Sequence, residues 1–320
     1  MTGSSYQTKV YRRQGGDELV VANGGIITVE SGGQINVLAP NGAIYFVDAN
    51  IAASGDGLSW GNAFKTMAEA FAVIGSGDTI IFRGKVLEQL TTPVQVFDVT
   101  IIGAGNRPRH ADSTPDGGQD AANTWAAPAA PAAATPLVKV LQQGWKFINI
   151  LFAGPADAAS VLLFRDGGAG DAERDASHAE FHGCRFASGQ DGIEASGGPY
   201  NIGIYGCRFH DLTGYCINHT AGAGIAACYR WQIVGNDFSK CANWIDKFDG
   251  NSWEILNNTI TQIATNYIDT SGGAGYNTIV GNRFSVAAAA FDPTGKVKGH
   301  AKDVWSNYLT DTIETGLPAD

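Results

Sequence analysis

The sequence predicts an all-β protein: a right-handed, single-stranded parallel β-helix (a solenoid), with a short N-terminal capping helix and a Gly-Gly-rich N-terminal β arm. Three observations predict this: a repeat of about 25 residues in the C-terminal half, two apolar columns that flank it, and an amphipathic segment just before the first coil. The repeat comprises Phe181-His-Gly-Cys184-Arg-Phe186, Ile204-Tyr-Gly-Cys207-Arg-Phe209, Ile233-Val-Gly-Asn236-Asp-Phe238, Ile255-Leu-Asn-Asn258-Thr-Ile260, Ile279-Val-Gly-Asn282-Arg-Phe284 and Val304-Trp-Ser-Asn307-Tyr-Leu309. The Cys/Asn positions follow one another at 23, 29, 22, 24 and 25 residues, by subtraction of their numbers.

The residue three before each Cys/Asn and the residue two after it are apolar in every copy, and mostly β-branched or aromatic. Side chains alternate faces along a strand, so both columns point inward only if the chain bends between them. Gly followed by Asn supplies that bend, because Gly and Asn tolerate positive φ. Buried Asn amides stacked from turn to turn can bond to one another, and at Cys184 and Cys207 a small buried thiol takes the place of Asn. A further strand in each turn carries Ile193, Ile217, Ile245, Ile268 and Phe291, nine or ten residues past the ladder position. Thr79-Ile-Ile-Phe-Arg-Gly84, Val99-Thr-Ile-Ile-Gly103 and Trp145-Lys-Phe-Ile-Asn-Ile-Leu-Phe152 read as less regular opening turns, for about eight to ten turns in all.

A solenoid must hide its first edge. Thr66-Met-Ala-Glu69 is a capping box, and Met67, Ala70, Phe71 and Ile74 recur at helical spacing, so residues 66–74 form the capping helix with Gly75 as its stop. The β-helix domain spans residues 44–320. Within it, residues 104–136, rich in Asp, Gly, Ala and Pro, read as an insertion that forms no core strand, either packed on the side of the solenoid or a flexible loop.

Residues 1–43 form a separate assembly and anchoring arm. Val21, Val29 and Val37 are eight apart, as are Ile27 and Ile35, and two Gly-Gly pairs keep the same period. So thin a unit buries little core alone and needs a partner for its apolar face: the solenoid body, other copies of the arm, or a different protein.

The formal net charge is −10, with only 16% charged residues, which disfavours nucleic acid and anionic membrane as partners. No apolar run is long enough to span a bilayer, and no signal-peptide pattern opens the sequence. The five Cys include no C-x-x-C pair and read as reduced thiols of a chain made in a cytoplasm. Cys216, Cys228 and Cys241 can approach across turns, but the sequence spacing supports no metal site and no cofactor.

Candidate site residues lie in one column. Glu194, Asn218, Asp246, Asp269 and Asp292 each follow an inward apolar residue and are expected to face outward on successive turns. Asp246, Asp269 and Glu194 are the candidates for carboxylate chemistry or for a bound cation such as calcium. Trp244 and Tyr267 are expected on the same outward face, where they would stack on sugar rings. The alternative is a plain solvated row of polar residues.

The stretch Ile44-Tyr-Phe-Val-Asp-Ala-Asn50, Gly55-Asp-Gly-Leu-Ser-Trp60, Ala63-Phe-Lys-Thr-Met-Ala-Glu-Ala70 and Gly77-Asp-Thr-Ile-Ile81 resembles the N-terminal module of pectate-lyase-like β-helix proteins, common in bacteriophage tailspikes and other virion proteins. Val10-Tyr-Arg-Arg-Gln-Gly-Gly-Asp17 with Val20-Val-Ala-Asn-Gly-Gly25 is similar to the N-terminal arms of tailed-phage structural proteins. The resemblance implies a virion protein, a homotrimer of the capsid-decoration or head-spike kind, held through its arm by the major capsid protein or another virion protein. A tailspike or fibre that binds, or depolymerises, a host glycan is the other implication. Polygalacturonase-like members of this group carry Asn-Thr-Asp, Asp-Asp, Gly-His-Gly and Arg-Ile-Lys, and none of these occurs here.

Overall fold

The structure, a computed structural model, describes residues 10–12, 19–21, 42–105, 123–165, 174–220, 228–246, 251–261, 263, 266–269, 276–285, 297–298, 304–309 and 312–315. For residues 10–12, 19–21, 220, 266, 267, 269, 285, 297, 298, 305, 308, 309 and 312–315 it describes the backbone alone. The chain divides into two compact units, Met1–Ala39 and Pro40–Asp320. In the first, Val10–Arg12 pairs antiparallel with Leu19–Val21, which places Val21 opposite Val10. Of the other arm residues singled out by the octad, Ile27, Val29, Ile35 and Val37 lie outside the described residues.

The second unit is a right-handed parallel β-helix. Each regular turn holds three strands. In one turn these are Glu180–His182, Arg185–Ala187 and Asp191–Ser196, which pair in parallel with Gly203–Tyr205, Arg208–His210 and Tyr215–Thr220 of the next. The first two flank the Cys/Asn bend and belong to one 17-stranded sheet, whereas the third strands form an eight-stranded sheet. At the far end Thr312–Thr315 folds back antiparallel on Val304–Leu309.

The bend is made by the residue before the ladder position. Gly183, Gly206, Gly235, Asn257 and Gly281 all have φ between 55° and 71°, the left-handed region in which a Cβ is costly and Gly or Asn is favoured. That turn aims the next side chain inward. Asn236, Asn258, Asn282 and Asn307 are buried, and each of the first three donates its Nδ2 to the Oδ1 of the next at 2.8–3.0 Å. The same Oδ1 also accepts the preceding Asn's backbone N–H, and each Nδ2 bonds the carbonyl of an Ile one turn back, as Asn258 does with Ile233 at 2.8 Å. Below Asn236 the thiols take over: Cys207 Sγ donates to Phe181 O at 3.4 Å and Cys184 Sγ to Phe147 O at 3.3 Å.

Inside, Phe152, Phe186, Phe209 and Phe238 form one stack, with successive centroids 5.1, 4.5 and 4.8 Å apart. Trp231 and Trp253 form a second, at 4.5 Å, and their indole N–H groups bond Pro199 O and Cys228 O. Each contact joins consecutive turns, so the apolar columns hold the coils together along the axis.

The helix covers Met67–Phe71, with Thr66 as N-cap and the capping box to Glu69 complete. Two further orphan N–H groups, of Met67 and Ala68, donate to the Glu88 carboxylate at 2.9 Å each. Met67, Ala70 and Phe71 are buried, and the Phe71 ring lies 5.6 Å from that of Trp145. Ala72, not Gly75, is the C-cap; Gly75 instead donates its N–H to Asp78 Oδ2, so the expected extension to residue 74 is a turn.

The reading of residues 104–136 as an insertion without a core strand is overturned. Asn123–Ala126 is a regular strand between Thr79–Leu87 and Leu151–Ala153, with all four residues buried and Trp125 fully enclosed. A core strand here needs only four residues, fewer than the window over which the flanking Asp, Gly, Ala and Pro dominate the composition. Among the described residues no helix is long and apolar enough to cross a membrane.

Candidate functional site

The third-strand sheet positions the predicted column. Val161, Ile193, Ile217, Ile245 and Ile268 are buried and pair rung on rung. Strand alternation therefore turns the next residue outward. Leu162, Glu194 and Asn218 follow in register, each half-buried. Asp246 comes next, its backbone N–H donated to Ile217 O at 3.0 Å. The backbone of Asp269 continues the column, in the strand Asn266–Asp269. The side chains of Asp269 and Tyr267 lie outside the described residues. Asp292 does too, and the strand that pairs with Asn266–Asp269 is Val297–Lys298, which sets Lys298 at the register position assigned from the sequence to Asp292. The column thus runs Glu194, Asn218, Asp246, Asp269, Lys298.

Trp244 is not on the outer face. It is fully buried, with its ring 5.4 Å from Phe238 and 5.6 Å from Phe284 in the core. Alternation from Ile245 fails because Asn243–Ile245 is only three residues long and leaves directly from a corner, where both Trp244 and Ile245 turn inward. The indole Nε1 of Trp244 is buried and has no hydrogen-bond partner among the described residues. A stacking role for Trp244 with a sugar on this face is thereby excluded.

The carboxylate that the sequence missed is Asp191, at the start of the strand Asp191–Ser196 and only 3% exposed. Its Oδ1 accepts the Tyr215 backbone N–H at 2.6 Å and its Oδ2 accepts Asn218 Nδ2 at 2.7 Å. Burial pushes the Asp191 carboxyl above its ordinary range and the charge of Asp246 adds to this, while the bonds from Tyr215 and Asn218 oppose it. Asp191, Asn218 and Asp246 therefore form one interacting group across three turns. An Asp-Gly pair opening a strand reads in sequence as a turn, and its burial depends on the coil above it.

A second polar group lies after the ladder bend. Arg185, 6% exposed, donates its Nε to His210 Nε2, and His210 Nδ1 lies 2.7 Å from Asp211 Oδ2. Burial lowers the His210 pKa, the Arg185 charge lowers it further, and Asp211 works against both. The neutral ring that results donates from Nδ1 to Asp211 and accepts at Nε2 from Arg185. Cys216 and Cys241 are in contact, and burial first, then the Cys241 thiol, push the Cys216 thiol well up, which keeps it protonated. Among the described residues no group of three or more His, Cys, Asp or Glu is arranged to hold a metal ion.

The sequence matches no protein-family model and no curated protein. Solved structures do match. The pectate lyase Pel9A aligns with 76% of this chain at 15% identity and a TM-score of 0.47, and the chain spans 62% of that lyase's length. The pectate lyase Bsp165PelA from Bacillus sp. N165, solved in complex with trigalacturonate, aligns with 73% of this chain and 74% of its own at 12% identity and a TM-score of 0.45. The Dettilon tailspike protein (gp208) aligns with 83% of this chain and 68% of its own at 13% identity and a TM-score of 0.35. What this chain has in common with them is the coiling of parallel strands described above.

Proposed function

We propose that this chain is a structural protein of a bacteriophage virion, of the capsid-decoration or head-spike kind. Residues 1–43 attach it to the major capsid protein or another virion protein, and the β-helix is the part presented to the surroundings. The observation that carries this is the combination of a separate N-terminal unit, Met1–Ala39, with a solenoid whose buried ladder and ring stacks run from turn to turn. Such a body is stiff along its axis, and the apolar octad that precedes it in the sequence is too short to build a large core of its own. The resemblance of both segments to phage structural proteins gives the setting.

A second function is favoured by one feature. Asp246 is half-buried on the outward column and within electrostatic reach of the buried carboxyl of Asp191, which is pushed towards its protonated form, and two carboxyls in such unequal surroundings are a starting point for binding or cutting a glycan. A tailspike or fibre that contacts host surface polysaccharide would use this face.

Cryo-electron microscopy of the native particle tests the proposal. Density for the β-helix repeated on the capsid lattice is the expected result. Density at the tail tip or baseplate would overturn the decoration role in favour of the host-contact role. Deleting residues 1–43 is expected to leave the β-helix folded and abolish attachment to the particle.

A further inference from the structure

A different face of the β-helix carries a pattern that neither function above uses. The residue two before each ladder position, together with its register partners in the opening turns, points outward yet is apolar or aromatic on turn after turn. Ile81 pairs with Ile102, which pairs with Ile148. His182 and Tyr205 follow, with rings stacked at 5.0 Å, and then Val234, Leu256 and Val280. All are half-exposed. Below Ile81 the lane reaches Phe46, and above Val280 it ends at Ser306. No carboxylate interrupts it, in a chain whose formal net charge is −10.

The other outward lane of the same strands is polar, and its groups are occupied within the chain. Lys146 Nζ lies 3.3 Å from Glu180 Oε2, which also contacts His182 Nε2 at 2.8 Å. Tyr205 donates its hydroxyl to Gln232, and Gln232 Nε2 donates to Glu254 at 2.9 Å. A sugar ligand would need donors and acceptors left open beside the ring faces, and a dry protein contact would not.

We propose that this lane is the contact between copies of this chain, related by a rotation axis parallel to the solenoid. Three arguments single out a second copy as the occupant. A parallel rotation axis preserves height, so each lane residue meets its own counterpart, and apolar side chains and ring faces on successive rungs can pack against their like at each level, the polar atoms of His182 and Tyr205 being bonded within the chain. The surface repeats every ~4.8 Å along its length, a period that another coil of this chain matches rung for rung. The size also fits: ten rungs span about 43 Å, and with the flanking polar lane the strip is about 14 Å wide, so about 600 Å² per copy. A pair then buries about 1,200 Å², at the lower end of specific interfaces. The contact does not depend on where, or whether, the protein sits on a particle.

The test uses the full-length protein. Its molar mass, from light scattering after size exclusion, is expected to be that of an oligomer. Val234→Lys and Leu256→Lys, both at half-exposed positions, are expected to shift it to the monomer while leaving the far-ultraviolet circular dichroism unchanged. As a second variant that keeps the fold, Val234→Cys is expected to form a disulfide-linked dimer under mild oxidation. The five native cysteines are buried and stay silent, and Lys240→Cys, exposed and away from the lane, is expected not to cross-link. A monomeric native protein, an oligomer untouched by the two Lys substitutions, or Val234→Cys that cross-links no better than Lys240→Cys would each overturn the proposal.

Discussion

The amide oxygen of Asn282 accepts two hydrogen bonds from a single residue one turn below, the backbone N–H of Asn258 at 2.9 Å and its Nδ2 at 2.8 Å. Asn258 does the same for Asn236, so neither residue can be removed without stranding its neighbours in a buried site. Asn258→Ala leaves the Asn236 N–H and one Asn236 amide hydrogen without their acceptor, a cost of about 2–6 kcal/mol. Thermal unfolding should show a fall in Tm for Asn258→Ala, and a smaller one for Asn258→Cys, whose thiol can still reach Ile233 O.

The two cysteines of the ladder allow the reverse experiment. Cys207 Sγ already donates to Phe181 O, and its backbone N–H donates to Asn236 Oδ1 at 2.7 Å. Cys207→Asn should extend the amide ladder by one turn, adding an Nδ2 bond to Asn236 and an acceptor for Cys184 N–H. A gain of about 1 kcal/mol in unfolding free energy is expected, read by denaturant titration. A loss would mean that the bend between Ile204 and Phe209 is too tight for the amide.

Much of this architecture is legible in the order of residues alone. The six-fold repeat, the Gly or Asn at the bend, the buried amide stack and the capping box are local patterns, each fixed by a residue type whose physical role is narrow. The rest depends on neighbours one turn away. Asp191 is buried by the coil that carries Tyr215 and Asn218, and nothing within its own strand announces this. Trp244 reads as outward only when alternation is carried across a corner, where it does not hold. Asn123–Ala126 is hidden by its flanks, and the register of Val297–Lys298 passes over Asp292 because the connecting segment is longer than the repeat spacing implies. The apolar lane through Val234 and Leu256 is present as a column two positions before the ladder, and emerges on asking which outward positions lack polar residues.

Asp191 should leave a mark on the pH dependence of stability. Its folded carboxyl is raised, so the unfolded chain loses this proton more easily. The contribution is fully present below the ordinary value of 3.8 and is lost as pH rises through the folded pKa. Asp191→Asn, which cannot ionise, should be more stable than the native protein at neutral pH and lose that advantage below 3.8. Tm measured across pH 3 to 8 on both proteins checks this; parallel curves would show that Asp191 is not the group responsible.

His210 acts in the opposite sense. Burial lowers its pKa below the ordinary 6.5, so the unfolded chain takes up a proton that the folded one resists. Stability from the neutral ring is complete above 6.5 and declines as pH falls through the folded pKa. His210→Gln should remove that acid-side decline, and a chemical-shift titration of the ring should place its midpoint below 6.5.

At the N-terminal end the cap is expected to protect the first coils. Thr66→Ala removes the side-chain bond to the Glu69 N–H, at a cost of about 1 kcal/mol. Hydrogen exchange should accelerate over residues 66–74 and at Ile80 and Ile101, which lie in the first-strand rungs close by, and not in the ladder turns around Asn258. Uniform acceleration along the chain would show instead that the coils open as one unit.

The five sealed thiols have a practical consequence. Cys184, Cys207, Cys216, Cys228 and Cys241 are each 2% exposed or less and are spread over consecutive turns, so an alkylating reagent can reach one only when the coil around it opens. The order in which they are labelled under native conditions is therefore the order in which the turns come apart. The chain carries its own clocks, which would tell whether it unzips from the arm side or from the far end.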